Sequence, residues 1–381
     1  MGSLDRILTT HVGSLPREPE VVEALLAEDR GDPIERAAFD RTMASAVEEL
    51  VRRQVEAGVD VVSDGESSKI SYATYIRHRL SGFEVGEVPR LSPRDLEEYP
   101  EYRRRMAESG TTPRYRGSVC RGPIAVRDLA PLEADIAHLW AAARKAGARD
   151  AFMNAASPGV IAIFQPNEHY ASDDAYLEAL GEAMRAEYET IVAAGLRLQV
   201  DCPDLAMGRH IRFPDASEAD FVRRAERQVE VLNHALRGVP AERARMHLCW
   251  GNYEGPHHRD IPLERILPVV LRARPQAILF EAANPRHAHE WKVWAGVRIP
   301  EDKVLVPGVV DTTTNFIEHP ELVAERLERF AGIVGRERVM AGTDCGFGTF
   351  AAAGAVHPSL CWPKLGALAE GARLASRRLW S

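Results

Sequence analysis

Short apolar runs alternate along this chain with longer stretches in which apolar side chains recur every three or four positions. Eight such runs can be read: Ile7 to Val12, Val59 to Ser63, Ala151 to Ala155, Leu196 to Val200, Ala244 to Cys249, Ala277 to Phe280, Val304 to Val309 and Val339 to Gly342. Their length and the turn residues around them are those of strands buried on both faces. The stretches between them carry the helical period. From Asp173 to Ala194, the side chains Leu177, Leu180, Met184, Tyr188 and Ile191 share one stripe, and Gly195 ends it. Pro320 at a first-turn position, with Leu322, Val323, Leu327, Phe330 and Val334 behind it and then Gly335, marks another complete helix. Eight strand and helix units predict an α/β fold, a (β/α)8 TIM barrel, with residues 1–381 as one domain.

The alternation lapses between the second and third strands. Residues 67–147 are too many for one crossover and predict an inserted segment of helical and hairpin character. A charged helix is expected from Arg94 to Glu108. The span from Tyr115 to Val126, punctuated by Gly117 and Gly122-Pro123, predicts a hairpin over the barrel mouth. Arg103, Arg104 and Arg105 read as a solvated helix face.

Composition narrows the partners. With 48 Lys+Arg against 56 Asp+Glu the net charge is −8, which argues against nucleic acid or an anionic membrane and for a small-molecule substrate. No signal-peptide core and no long apolar span can be read, so a cytoplasmic location is expected. Five cysteines in a chain of this length fit reduced thiols rather than a disulfide framework. The sequence leaves room for a homo-oligomer.

Polar residues at the ends of the runs then add chemistry. The series is His11 and Ser14, Asp64 and Glu66, Ser157, Asp201, His247 and Cys249, Glu281, Asp311, and Asp344 with Cys345. In a barrel these ends converge on one face, although any single Asp or Ser among them also suits a helix cap. His247 and Cys249 stand two apart on a strand and so face the same side. Glu281 lies 32 positions beyond Cys249, and Cys345 lies 64 beyond Glu281, which is about one and two units of roughly 30 residues. Two thiolates and an imidazole suit zinc, and a carboxylate as fourth ligand implies a position that a substrate thiol can take. Zinc holds a bound thiol as thiolate at neutral pH, so the predicted chemistry is alkyl transfer to sulfur. Each residue alone also suits a structural role, since a free cysteine packs as a small hydrophobe.

Several motifs carry a resemblance. Thr10-His11-Val12-Gly13-Ser14-Leu15-Pro16, Ser157-Pro158-Gly159 and Gln199-Val200-Asp201-Cys202-Pro203, together with His247-x-Cys249, Glu281 and Cys345, are similar to segments of one family. Over essentially its whole length the chain resembles the catalytic C-terminal half of cobalamin-independent methionine synthase. The resemblance implies zinc on His247, Cys249, Glu281 and Cys345, a thiol acceptor such as homocysteine, and an alkyl donor such as methyltetrahydrofolate. It also implies that Ser14, Glu66 and Asp201 bind the amino-acid end of the thiol.

The chain departs from the family in two places. The family segment Gly-Val-Tyr-Asp-Ile-His, whose His is the proton donor, reads Gly308-Val309-Val310-Asp311-Thr312-Thr313 here, and Cys202 replaces a Glu. Asp311 and His11 remain as catalytic candidates, His11 also suiting a core or capping role. These departures keep two other readings open: thiol addition to another electrophile, as in the epoxyalkane:coenzyme M transferases, and a zinc hydrolase. His287, His289 and His319 read as surface residues. Trp250, Tyr253, Trp291 and Trp294 either pack the rim or offer a face to a flat donor.

Overall fold

A computed structural model describes all residues except 1, 4, 89–90, 109–115 and 352–353. The described strands are β1 (Leu8–Thr9), β2 (Val61–Val62), β3 (Phe83–Val85), β4 (Ser118–Cys120), β5 (Asp150–Ala156), β6 (Arg197–Asp201), β7 (Ala244–Leu248), β8 (Ala277–Glu281), β9 (Val304–Val310) and β10 (Met340–Thr343). Eight of them form one parallel sheet in the order β1-β10-β9-β8-β7-β6-β5-β2. The ring closes between β1 and β2, where Asp60 N–H donates to Thr9 O (3.1 Å) and the Thr10 hydroxyl donates to Val61 O (3.1 Å). The result is the predicted (β/α)8 TIM-barrel architecture.

The eight predicted runs are these eight strands. Their pairing is shortest in β1 and β2 because a side chain takes over the ladder: Asp60 Oδ2 accepts from Thr9 N–H at 2.9 Å and from the Thr9 hydroxyl at 3.0 Å. Leu8, Val12, Val61, Phe152, Ala277, Leu279, Val304, Val306 and Met340 fill the barrel interior. Each of these side chains larger than alanine gains about 1.5–3 kcal/mol from leaving water. Arg245 crosses the same interior. Its guanidinium lies 3.4 Å from the Phe152 ring centroid and donates to Thr10 Oγ1 and His11 O, both at 2.8 Å.

Helices make the outer layer. The two read most clearly from sequence span Asp173–Ala193, capped by the Ser172 hydroxyl on Ala175 N–H, and Pro320–Val334. Gly195 (φ +89°) and Gly335 (φ +90°) follow them in a conformation that side chains disfavour. No described helix is long and apolar enough to cross a membrane.

Between β2 and β5 two expectations are corrected. The charged segment is two helices, Arg94–Glu97 and Pro100–Glu108, because Pro100 cannot continue the first. The hairpin is not contained within 115–126. Its strand β4 pairs antiparallel with β3, far upstream (Phe83 with Cys120), and Tyr115 lies outside the described residues. Buried ion pairs of Arg77 with Asp29, and of Arg79 with Asp135 and Glu187, fasten this segment to the barrel helices. Arg103 to Arg105 are solvent-exposed, as expected.

Candidate metal centre

β7 carries His247 and delivers Cys249 one residue past its end, with both side chains on the same face of the strand. Cys345 follows β10, where the Thr343 hydroxyl donates to Cys345 O at 2.8 Å and shapes the turn. The register against β9 slips between Gly342 and Thr343, a bulge that re-aims the end of the strand. Cys249, Cys345 and His247 are all buried, and their ligand atoms lie within 4.8 Å of one another. Zn–S bonds of about 2.3 Å in a tetrahedral site put donor atoms about 3.8 Å apart, so the trio fits a zinc-sized ion with little movement.

The electrostatics agree with that fit. Burial pushes the His247 pKa down to about 4, leaving a neutral imidazole able to ligate. Its Nε2 lies 3.2 Å from Asp344 O, and its Nδ1 lies 3.8 Å from Asp201 Oδ1. Burial, with Cys249 and Glu281 close by, pushes the Cys345 thiol well up. A divalent cation would reverse that preference by stabilising the thiolate.

Glu281 ends β8 but does not belong to the trio. Its Oε1 accepts from Trp250 N–H at 2.7 Å and its Oε2 from Asn284 Nδ2 at 2.6 Å. Asp344, the neighbour of Cys345, holds the loop behind it. Its Oδ1 accepts from the N–H groups of Ala282 (2.8 Å) and Ala283 (2.9 Å), and its Oδ2 from Asn284 N–H (2.8 Å) and Nδ2 (3.0 Å).

The three residues expected to bind the amino-acid end meet this mouth. Ser14 packs against Gly346, beside Cys345, and its carbonyl accepts from Phe347 N–H at 2.8 Å. Asp201 closes β6 beside His247, accepting from Asn154 Nδ2 (2.9 Å) and Gln199 Nε2 (2.8 Å), and burial raises its pKa to about 6. Glu66 follows β2 with a strained backbone (φ +56°). Its Oε2 is buried without a hydrogen-bond partner, and burial raises its pKa to about 8 against the pull of Lys69. A buried carboxyl without a partner is poised for a cation. Lys69 and Asn154, which adjoin these carboxyls, had no signal in the sequence: Lys69 Nζ donates to Asn154 O at 2.6 Å, and Asn154 Nδ2 to Asp201.

The two catalytic candidates are each engaged in hydrogen bonds of their own. His11 Nδ1 accepts from Gly13 N–H (3.2 Å), so Nε2 carries the proton and donates to Gln54 Oε1 (2.7 Å), within a wholly buried wall. Burial lowers its pKa to about 4, and no ring nitrogen is left to serve the mouth. Asp311 accepts from Thr313 N–H (2.9 Å) and from the hydroxyls of Thr313 (2.8 Å) and Thr314 (2.6 Å), closing its own turn.

The aromatics pack. Trp250 and Trp294 are fully buried, Trp294 stacking on Phe280 at 4.3 Å, and Trp291 faces Arg329. One histidine expectation fails. His289 and His319 are exposed, but His287 is buried against Trp250, Asp260 and Glu290, because the turn after Asn284 folds inward beneath the β7 loop.

Comparison with known proteins supplies an independent line. The family model described as "Cobalamin-independent synthase, Catalytic domain" matches residues 7–88 and 105–357. A methionine synthase of Saccharolobus solfataricus is 23% identical over 385 residues, covering 100% of this chain and 98% of that protein. One from Sulfolobus acidocaldarius is 24% identical over 341 residues, covering 89% and 85%. Among solved structures, a B12-independent methionine synthase from Shewanella sp. W3-18-1 in complex with selenomethionine superposes with a TM-score of 0.73 at 20% identity, covering 98% of this chain and 99% of that one. A putative vitamin-B12 independent methionine synthase from Listeria monocytogenes gives 0.65 at 18% identity, covering 100% and 99%. At these identities the structures speak for the fold.

Proposed function

Because the chain belongs to the cobalamin-independent synthase catalytic-domain family, we propose that it transfers a methyl group to the sulfur of a small thiol, homocysteine being the default acceptor. The observation that carries this reading is the buried trio of His247, Cys249 and Cys345 at the strand ends of a TIM barrel. These residues would hold Zn2+, which when bound lowers the pKa of an acceptor thiol and keeps it nucleophilic. Glu281, whose carboxylate accepts from Trp250 N–H and Asn284 Nδ2, would be the further ligand that yields to the acceptor.

The protein's own groups bind and orient the acceptor. The ammonium end of an amino-acid thiol would enter beside Glu66 and Asp201, adding to the positive charge of Lys69 that burial of the two carboxyls outweighs. Ser14, against the Cys345 turn, offers a hydroxyl to the same end. Asp201 also stands beside His247, so acceptor binding and ligand orientation share one carboxylate.

A second reading is favoured by one observation. Where the family has an imidazole, Thr313 stands, and Asp311 is consumed by its own turn. A hydroxyl of ordinary pKa does not replace an imidazole tuned near neutrality. This supports thiol addition to a different electrophile, such as an epoxide.

The test is zinc K-edge absorption with and without homocysteine, paired with thiol-consumption assays using methyltetrahydrofolate and an epoxide. Sulfur ligands at about 2.3 Å rising from two to three supports thiol activation on the trio. An unchanged count refutes homocysteine as acceptor, and turnover with the epoxide alone replaces the first reading by the second.

A further inference from the structure

We propose that His257, Asp260 and His287, with His210 set against the other oxygen of Asp260, form a second divalent transition-metal site that ties the loop after β7 to the inserted segment. It shares no residue with the Cys249 and Cys345 centre; Trp250, whose N–H donates to Glu281, stacks on His287 at 4.1 Å.

The hydrogen bonding makes the case. Asp260 Oδ2 lies 2.9 Å from His257 Nδ1 and 3.1 Å from His287 Nε2. The other nitrogen of each ring is also taken by an acceptor, Tyr253 O for His257 Nε2 (3.0 Å) and Glu290 Oε2 for His287 Nδ1 (2.8 Å). Acceptors on both sides of both rings require two buried imidazolium ions side by side. A divalent cation at the Asp260 side resolves this: two protons leave as it enters, each ring keeps its outer N–H, and the charge is unchanged. Histidine donating outward to a carbonyl or carboxylate while ligating inward is the usual environment of a metal-bound imidazole.

His210 is the second observation. It is 1% exposed, and neither ring nitrogen has a hydrogen-bond partner, yet Nδ1 lies 3.2 Å from Asp260 Oδ1, an atom equally without a bond. The ligand atoms of His257, Asp260 and His287 lie within 4.8 Å of one another. Zinc bonds to nitrogen and oxygen of about 2.0–2.1 Å put tetrahedral donors about 3.4 Å apart, close to the 2.9 and 3.1 Å from Asp260 Oδ2 to the two rings. Two imidazoles and a carboxylate, with a third imidazole beside them, suit zinc, iron or nickel rather than magnesium or calcium. His257 also holds a left-handed backbone (φ +52°), a conformation a side chain adopts only where its surroundings impose it.

The structural role follows from the second sphere. Asp95, on the inserted helix Arg94–Glu97, accepts from His257 N–H (2.6 Å) and from the Tyr253 hydroxyl (2.8 Å) through one oxygen. An ion here would fix the whole of the loop that leaves Cys249.

The test uses the full chain with Cys249→Ser and Cys345→Ser, which removes the thiolate centre. After loading with Zn2+ and gel filtration, this variant retains one metal ion per chain, and the wild type two. Loaded with Co2+, the same variant shows visible ligand-field bands without the thiolate charge-transfer absorption of the wild type. Adding His257→Gln and His287→Gln removes the remaining ion. Should that variant not fold, His210→Gln in the double-serine background weakens retention at least tenfold. A double-serine variant that retains no metal overturns the proposal, as does retention that none of the histidine substitutions changes. Failure of the thiolate centre alone would show separately, as absent charge transfer in the wild type.

Discussion

Asp344→Asn tests how the trio is positioned. Asp344 is buried, and its two oxygens accept four hydrogen bonds from the loop after β8, at 2.8 to 3.0 Å. Asparagine has the same shape and creates no cavity, but one oxygen becomes an NH2 that cannot accept. Two of the four donors are then left facing another donor. Each buried donor left without an acceptor costs about 1–3 kcal/mol, so the expected loss is about 2–6 kcal/mol. An unfolding entropy of about 2.1 cal/mol/K per residue over 381 residues gives about 0.8 kcal/mol/K, so Tm should fall by about 3–8 °C. Since Asp344 adjoins Cys345 and holds the loop that follows Glu281, zinc affinity should fall about 10- to 100-fold as well. Differential scanning calorimetry and competition with a chromophoric chelator give both numbers. A Tm within about 1 °C of wild type and unchanged affinity would refute the claim that these four bonds set the site.

Three further outcomes are expected. Cys345→Ser should lower zinc affinity at least 100-fold, taking about 3 kcal/mol as one ligand's share of a four-ligand site, and abolish turnover; full activity of the metal-free variant in a coupled assay would refute the metal reading. Glu66→Gln should leave metal content unchanged while raising KM for an amino-acid thiol about tenfold or more, the cost of one charged partner for an ammonium group; an unchanged KM would remove Glu66 from the pocket. Asp204 gives a pH signature, because burial raises its pKa from 3.8 to about 7 while Ser157 Oγ donates to it at 2.6 Å. The folded state therefore binds more protons than the unfolded one between these values, so stability falls as pH rises from about 4 to 7, by on the order of 4 kcal/mol. In Asp204→Asn this loss should vanish, read as urea midpoints at pH 5 and pH 8; an unchanged difference would place the titration elsewhere.

The legible part of this protein was whatever depends on local period. Apolar runs bounded by turn residues predicted all eight barrel strands, and a spacing of two placed His247 and Cys249 on one face of β7. Boundaries were less legible where a side chain replaces a ladder bond, as Asp60 does beside β1. The hairpin at β4 was misread because its partner β3 lies more than thirty residues upstream, beyond the reach of any turn signal.

The sequence by itself therefore determined the fold class and which polar groups stand at the strand ends, because strand pleat and helix pitch are properties of a few consecutive residues. Only the tertiary structure decided what those groups do. His11 turns to Gln54 in the wall, Asp311 closes its own turn, and Glu281 rests on Trp250 and Asn284. His287 goes inside, beside Asp260, where the sequence suggested surface. A buried polar group must find its partner among whatever donors the neighbouring loops bring, and that choice is made between segments distant in sequence.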